Sequence, residues 1–306
     1  MTKIGDKNVL ILGASGYIGP HLRDRLGPDN VVATYNSSPI VNGTHFDALS
    51  MRLPEILNTR TPISHAVILF GATNLNECAK NVEETQALNV DGIVRVIKDL
   101  IDAKIRVVFC SSDSVFDGIS GNYSETDPPN PIVQYGIQKL EVERFIQDHC
   151  DDFCIIRPTR VYGTTLGDGS LFTSWISSLK NNELIKVATD QIMCPILMSD
   201  LTMGINKLLD LSATGIYHLA GPVVNSRAGF FDMLVEEIQA HLTEAPRVEY
   251  CRLSQFELPE IPPLNVSLNA SKFIETTGFR PMEPRQAIQV MLANAGYGTS
   301  DGTCSP

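Results

Sequence analysis

Short apolar runs recur along the first half of the chain, and between them apolar positions fall three or four residues apart. Lys7–Gly13 (KNVLILG) reads as a strand that ends in glycine. Tyr17–Leu26 has helical spacing, and its Pro20 is tolerated in a first turn. Asn30–Tyr35, His65–Phe70, Ile105–Ser112 and Phe153–Pro158 read as further strands, the last stopped by proline. Val82–Ala103 reads as one long amphipathic helix and Tyr135–Asp148 as another. Strands that are apolar throughout, alternating with helices, predict a parallel sheet covered on both faces. The expected fold is therefore α/β, a Rossmann-like doubly wound parallel sheet with a smaller C-terminal α/β substrate lobe.

In such sheets ligands sit at the carboxyl ends of the strands. Gly13, Phe70–Thr73, Ser111–Asp113 and Pro158–Val161 become candidate site segments on that ground. Gly215–Gly221 (GIYHLAG) reads as one more strand of the same sheet. The expected division is residues 1–160 plus about 213–222 for a dinucleotide-binding domain. Residues 161–212 and 223–294 form the substrate lobe, and the Gly/Ser-rich segment 295–306 a flexible tail.

Composition narrows the function. A chain of 306 residues, 43% hydrophobic, can bury a sizeable core. A net charge of -11 argues against a nucleic-acid surface, so any anionic ligand must be held by local N–H groups or single arginines. The N-terminal apolar run, Val9–Leu12, is too short for a signal peptide or a membrane span. Seven scattered cysteines form no CxxC pairs; no metal site is expected, and a reducing cytoplasmic setting fits.

Two motifs carry chemistry. GASGYIG places glycines at 13, 16 and 19 between a strand and a helix. Glycine tightens such a turn and lets the backbone approach a pyrophosphate at the helix N-terminus. After the second strand, Tyr35, Asn36, Ser37 and Ser38 include no carboxylate to repel a 2′-phosphate, which favours NADP(H), with NAD(H) as the alternative. The second motif is Tyr135 with Lys139, four residues apart on a helix and so on one face. A phenol has a pKa of about 10, and a neighbouring ammonium is expected to lower it. Ser112, at the end of a strand, is placed to orient a carbonyl beside that tyrosine. Taken singly, the pair is ordinary for a solvated helix and the serine for a turn; together with the glycine loop they point to an active site.

The segments ILGASGYIG, FGATNLNEC, LNVDG, SSDSVFDG, YSETDPPNPIVQYGIQKLEVE, IIRPTRVYG and GIYHLAG resemble the extended short-chain dehydrogenase/reductases, closest to the dTDP-4-dehydrorhamnose reductase branch. The resemblance runs from residue 9 to about 221. It implies that Tyr135 protonates a carbonyl oxygen, that Lys139 lowers its pKa and binds the nicotinamide ribose, and that Ser112 binds the carbonyl. Asp113 and Gln191 would border the substrate. Gly13, Ser15, Gly16, Tyr17 and Ile18 would hold the pyrophosphate, with Asp47 on the adenine side. Gly71 and Ala72 would line the middle of the cofactor, and Pro158 would lie near the nicotinamide. The implied activity is NADPH-dependent reduction of a keto group on a nucleotide sugar, and a homodimer fits the superfamily.

Three departures bear on the substrate. Ser114 stands where the branch has tyrosine, FGATN replaces an alanine-rich strand end, and Asp190–Asp200 (DQIMCPILMSD) keeps Gln191 and Pro195 in hydrophobic surroundings. Arg160 and Arg227 are candidates for phosphate binding, or equally for surface ion pairs. His218 reads as a packed strand residue. Two alternatives stand beside the reductase: an NAD-retaining nucleotide-sugar epimerase or dehydratase, and a non-catalytic regulatory subunit of the methionine adenosyltransferase beta type.

Overall fold

The computed structural model describes residues 8–57, 62–242 and 244–297. In chain order the first half contains β1 (Asn8–Leu12), α1 (Gly19–Leu26), β2 (Val31–Tyr35), β3 (Gly43–His45), β4 (Ile63–Ile68), α2 (Leu75–Lys80), α3 (Val82–Gln86), α4 (Ile93–Asp102), β5 (Arg106–Cys110) and α5 (Gln134–His149). The second half contains β6 (Phe153–Pro158), β7 (Val161–Tyr162), α6 (Leu171–Lys180), β8 (Ile185–Ala188), β9 (Ile192–Met193), β10 (Ile196–Leu197), α7 (Met198–Asp210), β11 (Gly215–Leu219), β12 (Asn225–Ser226), α8 (Arg227–Ile238), β13 (Val248–Cys251), α9 (Ser271–Thr277) and α10 (Pro284–Asn294).

Seven strands form one parallel sheet in the order β11-β6-β5-β4-β1-β2-β3. The pleat explains why these runs are apolar throughout. Val9 and Ile11 of β1 point to one face and pack with Leu22 of α1, Leu201 and Ile205 of α7 and Phe273 of α9. Leu10 and Leu12 point to the other and meet Ile93, Val96 and Ile97 of α4 with Val142 and Ile146 of α5. Each such side chain, taken fully out of water, contributes about 1.5–3 kcal/mol. A further cluster outside the sheet joins Phe172 and Trp175 of α6, Phe230 and Phe231 of α8 and Ile288 and Met291 of α10.

The expected helix over 82–103 is broken into three parts. Between α3 and α4, residues Ala87–Gly92 form a wider π-helical turn. The cause lies at Asn89, a fully buried amide on an otherwise apolar face. Its Nδ2 donates to the Ala72 carbonyl at 2.9 Å and to Gln138 Oε1 at 2.8 Å, and its Oδ1 accepts from the Ala72 N–H at 2.7 Å. The extra residue in that turn brings the side chain onto the loop after β4. Helix α1 begins at Gly19 rather than Tyr17, with Pro20 in its first turn, which leaves residues 13–18 free as a loop. Of the segment expected to be a tail, residues 298–306 lie outside the described residues.

Candidate active site

A cleft of about 680 Å³ runs along the carboxyl ends of the central strands. At one end it is lined by Tyr35, Asn36 and Ser37 after β2. It then passes Gly13, Ser15, Gly16, Tyr17 and Ile18 after β1, and Phe70, Gly71 and Thr73 after β4. At the other end it reaches Ser112, Asp113, Tyr135, Lys139, Pro158, Arg160 and Gln191.

The glycine loop is shaped by close approach. A Cβ on Gly13, whose φ is +89°, would lie 2.8 Å from the Phe70 nitrogen, and one on Gly19 would lie 2.5 Å from the Ala14 backbone. Thr34, which sequence reasoning missed, holds the loop from β2. Its Oγ1 accepts from the Gly13 N–H at 3.2 Å and donates to the Ile11 carbonyl at 3.2 Å. A buried threonine inside an apolar strand was the available signal. Tyr17 reaches away from the loop, and its hydroxyl faces Asp168 and Ser170 in residues 163–170. Burial and the Asp168 charge push its pKa up to about 12.

The residues fit a dinucleotide. The cleft is long, the loop is free of side-chain obstruction at Gly16, and no carboxylate stands among the lining residues after β2. Two residues expected to touch the cofactor are not among those lining the cleft, though their chain neighbours are. Asp47 does not line the cleft: its carboxylate accepts from the Leu49 N–H at 2.9 Å and Ser50 Oγ at 2.6 Å, which lowers its pKa. Ala72 likewise turns its N–H to Asn89.

At the far end, Tyr135 and Ser112 both line the cleft, and the serine hydroxyl faces the phenol. Lys139 Nζ donates to the Cys110 carbonyl at 3.0 Å and lies 5.7 Å from the Tyr135 ring centroid. Ser112 Oγ accepts from the Ser114 N–H at 3.1 Å and donates to Asp113 Oδ1 at 3.0 Å. Burial pushes the Asp113 carboxyl up to about 6, against the opposing pull of the Ser112 hydroxyl and Arg160.

One expectation is corrected here. Lys139 does not bring the Tyr135 pKa below its ordinary value in this geometry; burial drives the phenol well above it. Burial also lowers the pKa of Lys139. Both side chains are largely out of water, and Tyr135 further faces Asp113. Tyr135 is thus held as the protonated phenol, the form a proton donor needs at the start of a reaction.

The substrate side of the cleft carries Gln191, Met193, Pro262, Pro263 and Val266. Gln191 Oε1 is buried with no hydrogen-bond partner. Arg160 is exposed on the wall, and among the described residues neither it nor Arg227 makes an ion pair. The Arg227 guanidinium lies 6.0 Å from the Trp175 ring centroid and 5.8 Å from that of Phe256, and burial lowers its pKa to about 10. His218 is packed inside β11: its Nδ1 faces the Tyr123 carbonyl at 3.0 Å, and burial pulls its pKa down to about 3. No group of three or more His, Cys, Asp or Glu among the described residues is arranged to hold a metal.

Residues 7–296 match the model of the RmlD substrate binding domain family. The chain belongs to that family. Among its relatives, the probable low-salt glycan biosynthesis reductase Agl14 of Haloferax volcanii is 29% identical over 65% of this chain and 67% of its own. The dTDP-4-dehydrorhamnose reductase of Aggregatibacter actinomycetemcomitans is 24% identical over 94% of this chain and 99% of its own. The fold matches that of the dTDP-4-dehydrorhamnose reductase from Bacillus anthracis, solved in complex with NADP, with a TM-score of 0.81. That match is at 22% identity and covers 94% of this chain and 99% of the other.

Proposed function

We propose that this protein is an NADPH-dependent reductase that converts the keto group of a nucleotide-activated sugar, of the dTDP-4-dehydrorhamnose kind, to an alcohol. The observation that carries the reading is the meeting of Ser112, Tyr135 and Lys139 at the end of a cleft that begins at a dinucleotide loop. The bound nicotinamide supplies the hydride. The chain supplies position and a proton. Ser112 orients the carbonyl, and Tyr135 hands its proton to the carbonyl oxygen as charge develops there. The phenolate left behind is disfavoured by burial, and the Lys139 ammonium on the same face of α5 offsets that cost.

Gly13, Ser15, Gly16 and Ile18 would take the pyrophosphate, Asn36 the 2′-phosphate end, and Gly71 and Pro158 the middle and nicotinamide end. Asp113 and the unpartnered Gln191 would meet the sugar, with residues 161–212 and 223–294 as the substrate lobe. Among the described residues no helix is long and apolar enough to cross a membrane. All six described cysteines are free thiols, in keeping with a reducing, cytoplasmic setting.

The test is NADPH oxidation with dTDP-4-dehydrorhamnose and a panel of related keto-sugars. Turnover on at least one nucleotide-linked ketone is expected. NAD bound in stoichiometric amount to the purified protein, with no net oxidation of NADPH, would favour an epimerase or dehydratase instead.

A further inference from the structure

One turn beyond Lys139 on α5 a carboxylate is fully buried. Glu143 follows Lys139 by four residues on the same helix, so the two share a face. It accepts from Ser111 Oγ at 2.5 Å, from Arg157 Nε at 3.0 and 3.2 Å and from Arg157 Nη2 at 2.6 Å. Arg157 lies in β6 and is itself 2% exposed. Its Nη1 faces His218 Nε2 at 3.4 Å, and its guanidinium stands 5.1 Å from the Phe116 ring centroid. His218 donates from Nδ1 to the Tyr123 carbonyl, which leaves Nε2 to accept from arginine.

A buried ion pair of this kind is a poor stabilising device, because well-packed apolar residues of the same volume serve as well or better. Its placement suggests another role. Ser111 stands between Cys110, whose carbonyl accepts from Lys139, and Ser112, which faces Tyr135. Glu143 therefore grips the strand end at the one residue between the two catalytic contacts.

We infer that Glu143 is a positioning residue: it fixes the end of β5 through Ser111 and stands one helical turn from Lys139 as a buried counter-charge. Resting as it does on the reductase reading, this inference adds a residue that touches neither cofactor nor substrate. The groups facing Lys139 are few. Cys110 faces it from β5, Cys78 from α2, and Tyr135 and Glu143 from its own helix. Burial raises the pKa of both thiols and of Tyr135, so these three are neutral near pH 7. Glu143 is the anion that opposes the burial of Lys139, and Arg157 balances it from behind.

The test reads Lys139 directly and needs no substrate. In protein labelled with ¹³C at the lysine ε-carbon, the Lys139 signal is assigned by its loss in Lys139→Met and followed against pH. In Glu143→Gln its titration midpoint is expected about one pH unit lower, a roughly tenfold loss of proton affinity. The alkaline limb of kcat should move with it. Because the single variant strands Arg157, Glu143→Gln/Arg157→Met serves as a second variant that removes both charges at similar volume; its midpoint should fall in the same direction but less. A midpoint unchanged from wild type in either variant, with native circular dichroism, would overturn the inference. If the wild type reduces no nucleotide-linked ketone, the reductase reading fails while the titration still decides the role of Glu143.

Discussion

Lys139 Nζ donates a 3.0 Å hydrogen bond to the Cys110 carbonyl, and that contact ties α5 to the end of β5. Two residues further along the chain, Ser112 faces Tyr135 of the same helix. The strand end and the helix face are thereby set against each other by groups of β5, α5 and the turn that follows β5. The proton donor is held on its own helix, which makes its loss separable from the loss of binding.

Tyr135→Phe should lower kcat by about 10²–10⁴-fold, the usual worth of a positioned proton donor. The ring still fills its buried site, so NADPH affinity, followed by fluorescence titration, should stay within about twofold of wild type. Loss of NADPH binding in a folded Tyr135→Phe protein would place the hydroxyl in the cofactor site instead.

Gly19→Ala and Gly16→Ala should fail in different ways. At Gly19 the added carbon would stand 2.5 Å from the Ala14 backbone, which cannot give way. A stability loss of about 1–3 kcal/mol is expected in urea unfolding. At Gly16 the nearest atom is the Gly13 carbonyl oxygen, at 3.4 Å. That variant should unfold close to wild type but bind NADPH roughly tenfold more weakly, because the methyl occupies the approach of the pyrophosphate.

Asp113 makes stability fall as pH rises. Its folded carboxyl keeps a proton up to about pH 6, whereas an unfolded aspartate loses it near pH 4. Folding therefore takes up a proton between about pH 4 and 6, and stability contributed by the neutral form is lost as pH climbs through that window. Asp113→Asn should exceed wild type by roughly 1–2 kcal/mol at pH 7.5 and match it near pH 4. Equal pH profiles for the two proteins in urea unfolding would show that the carboxyl is not desolvated as described.

Asn36→Asp should turn the coenzyme preference. A carboxylate at the end of β2 repels a 2′-phosphate and accepts from ribose hydroxyls. The ratio of kcat/KM for NADPH over NADH should drop by about tenfold or more, roughly the effect of 1.4 kcal/mol at one contact. An unchanged ratio would put the 2′-phosphate elsewhere in the cleft.

Much of this is legible in the sequence alone. Runs such as Val9–Leu12 have apolar residues on both faces of the pleat, so they announce a sheet buried on both sides. Tyr135 and Lys139 share a helix face by spacing alone, and Ser112 joins them because strand ends converge on one edge. Long-range partners were not legible. Nothing local to Asn89 tells of Ala72 or Gln138, and nothing local to Glu143 tells of Arg157 in the next strand. The same limit applies to the local partners of Asp47 and Ala72, which bond to Ser50 and Asn89. The tyrosine pKa failed for another reason: a charge one turn away is visible in sequence, whereas the depth of burial that outweighs it is not.

The most direct test of the reductase reading is a single-turnover experiment with purified protein, NADPH and dTDP-4-dehydrorhamnose. Loss of NADPH absorbance should match, mole for mole, the alcohol formed, and Tyr135→Phe should slow both by the same factor, about 10²–10⁴-fold. Conversion or isomerisation of the sugar with no NADPH consumed, driven by NAD already held by the protein, would contradict it.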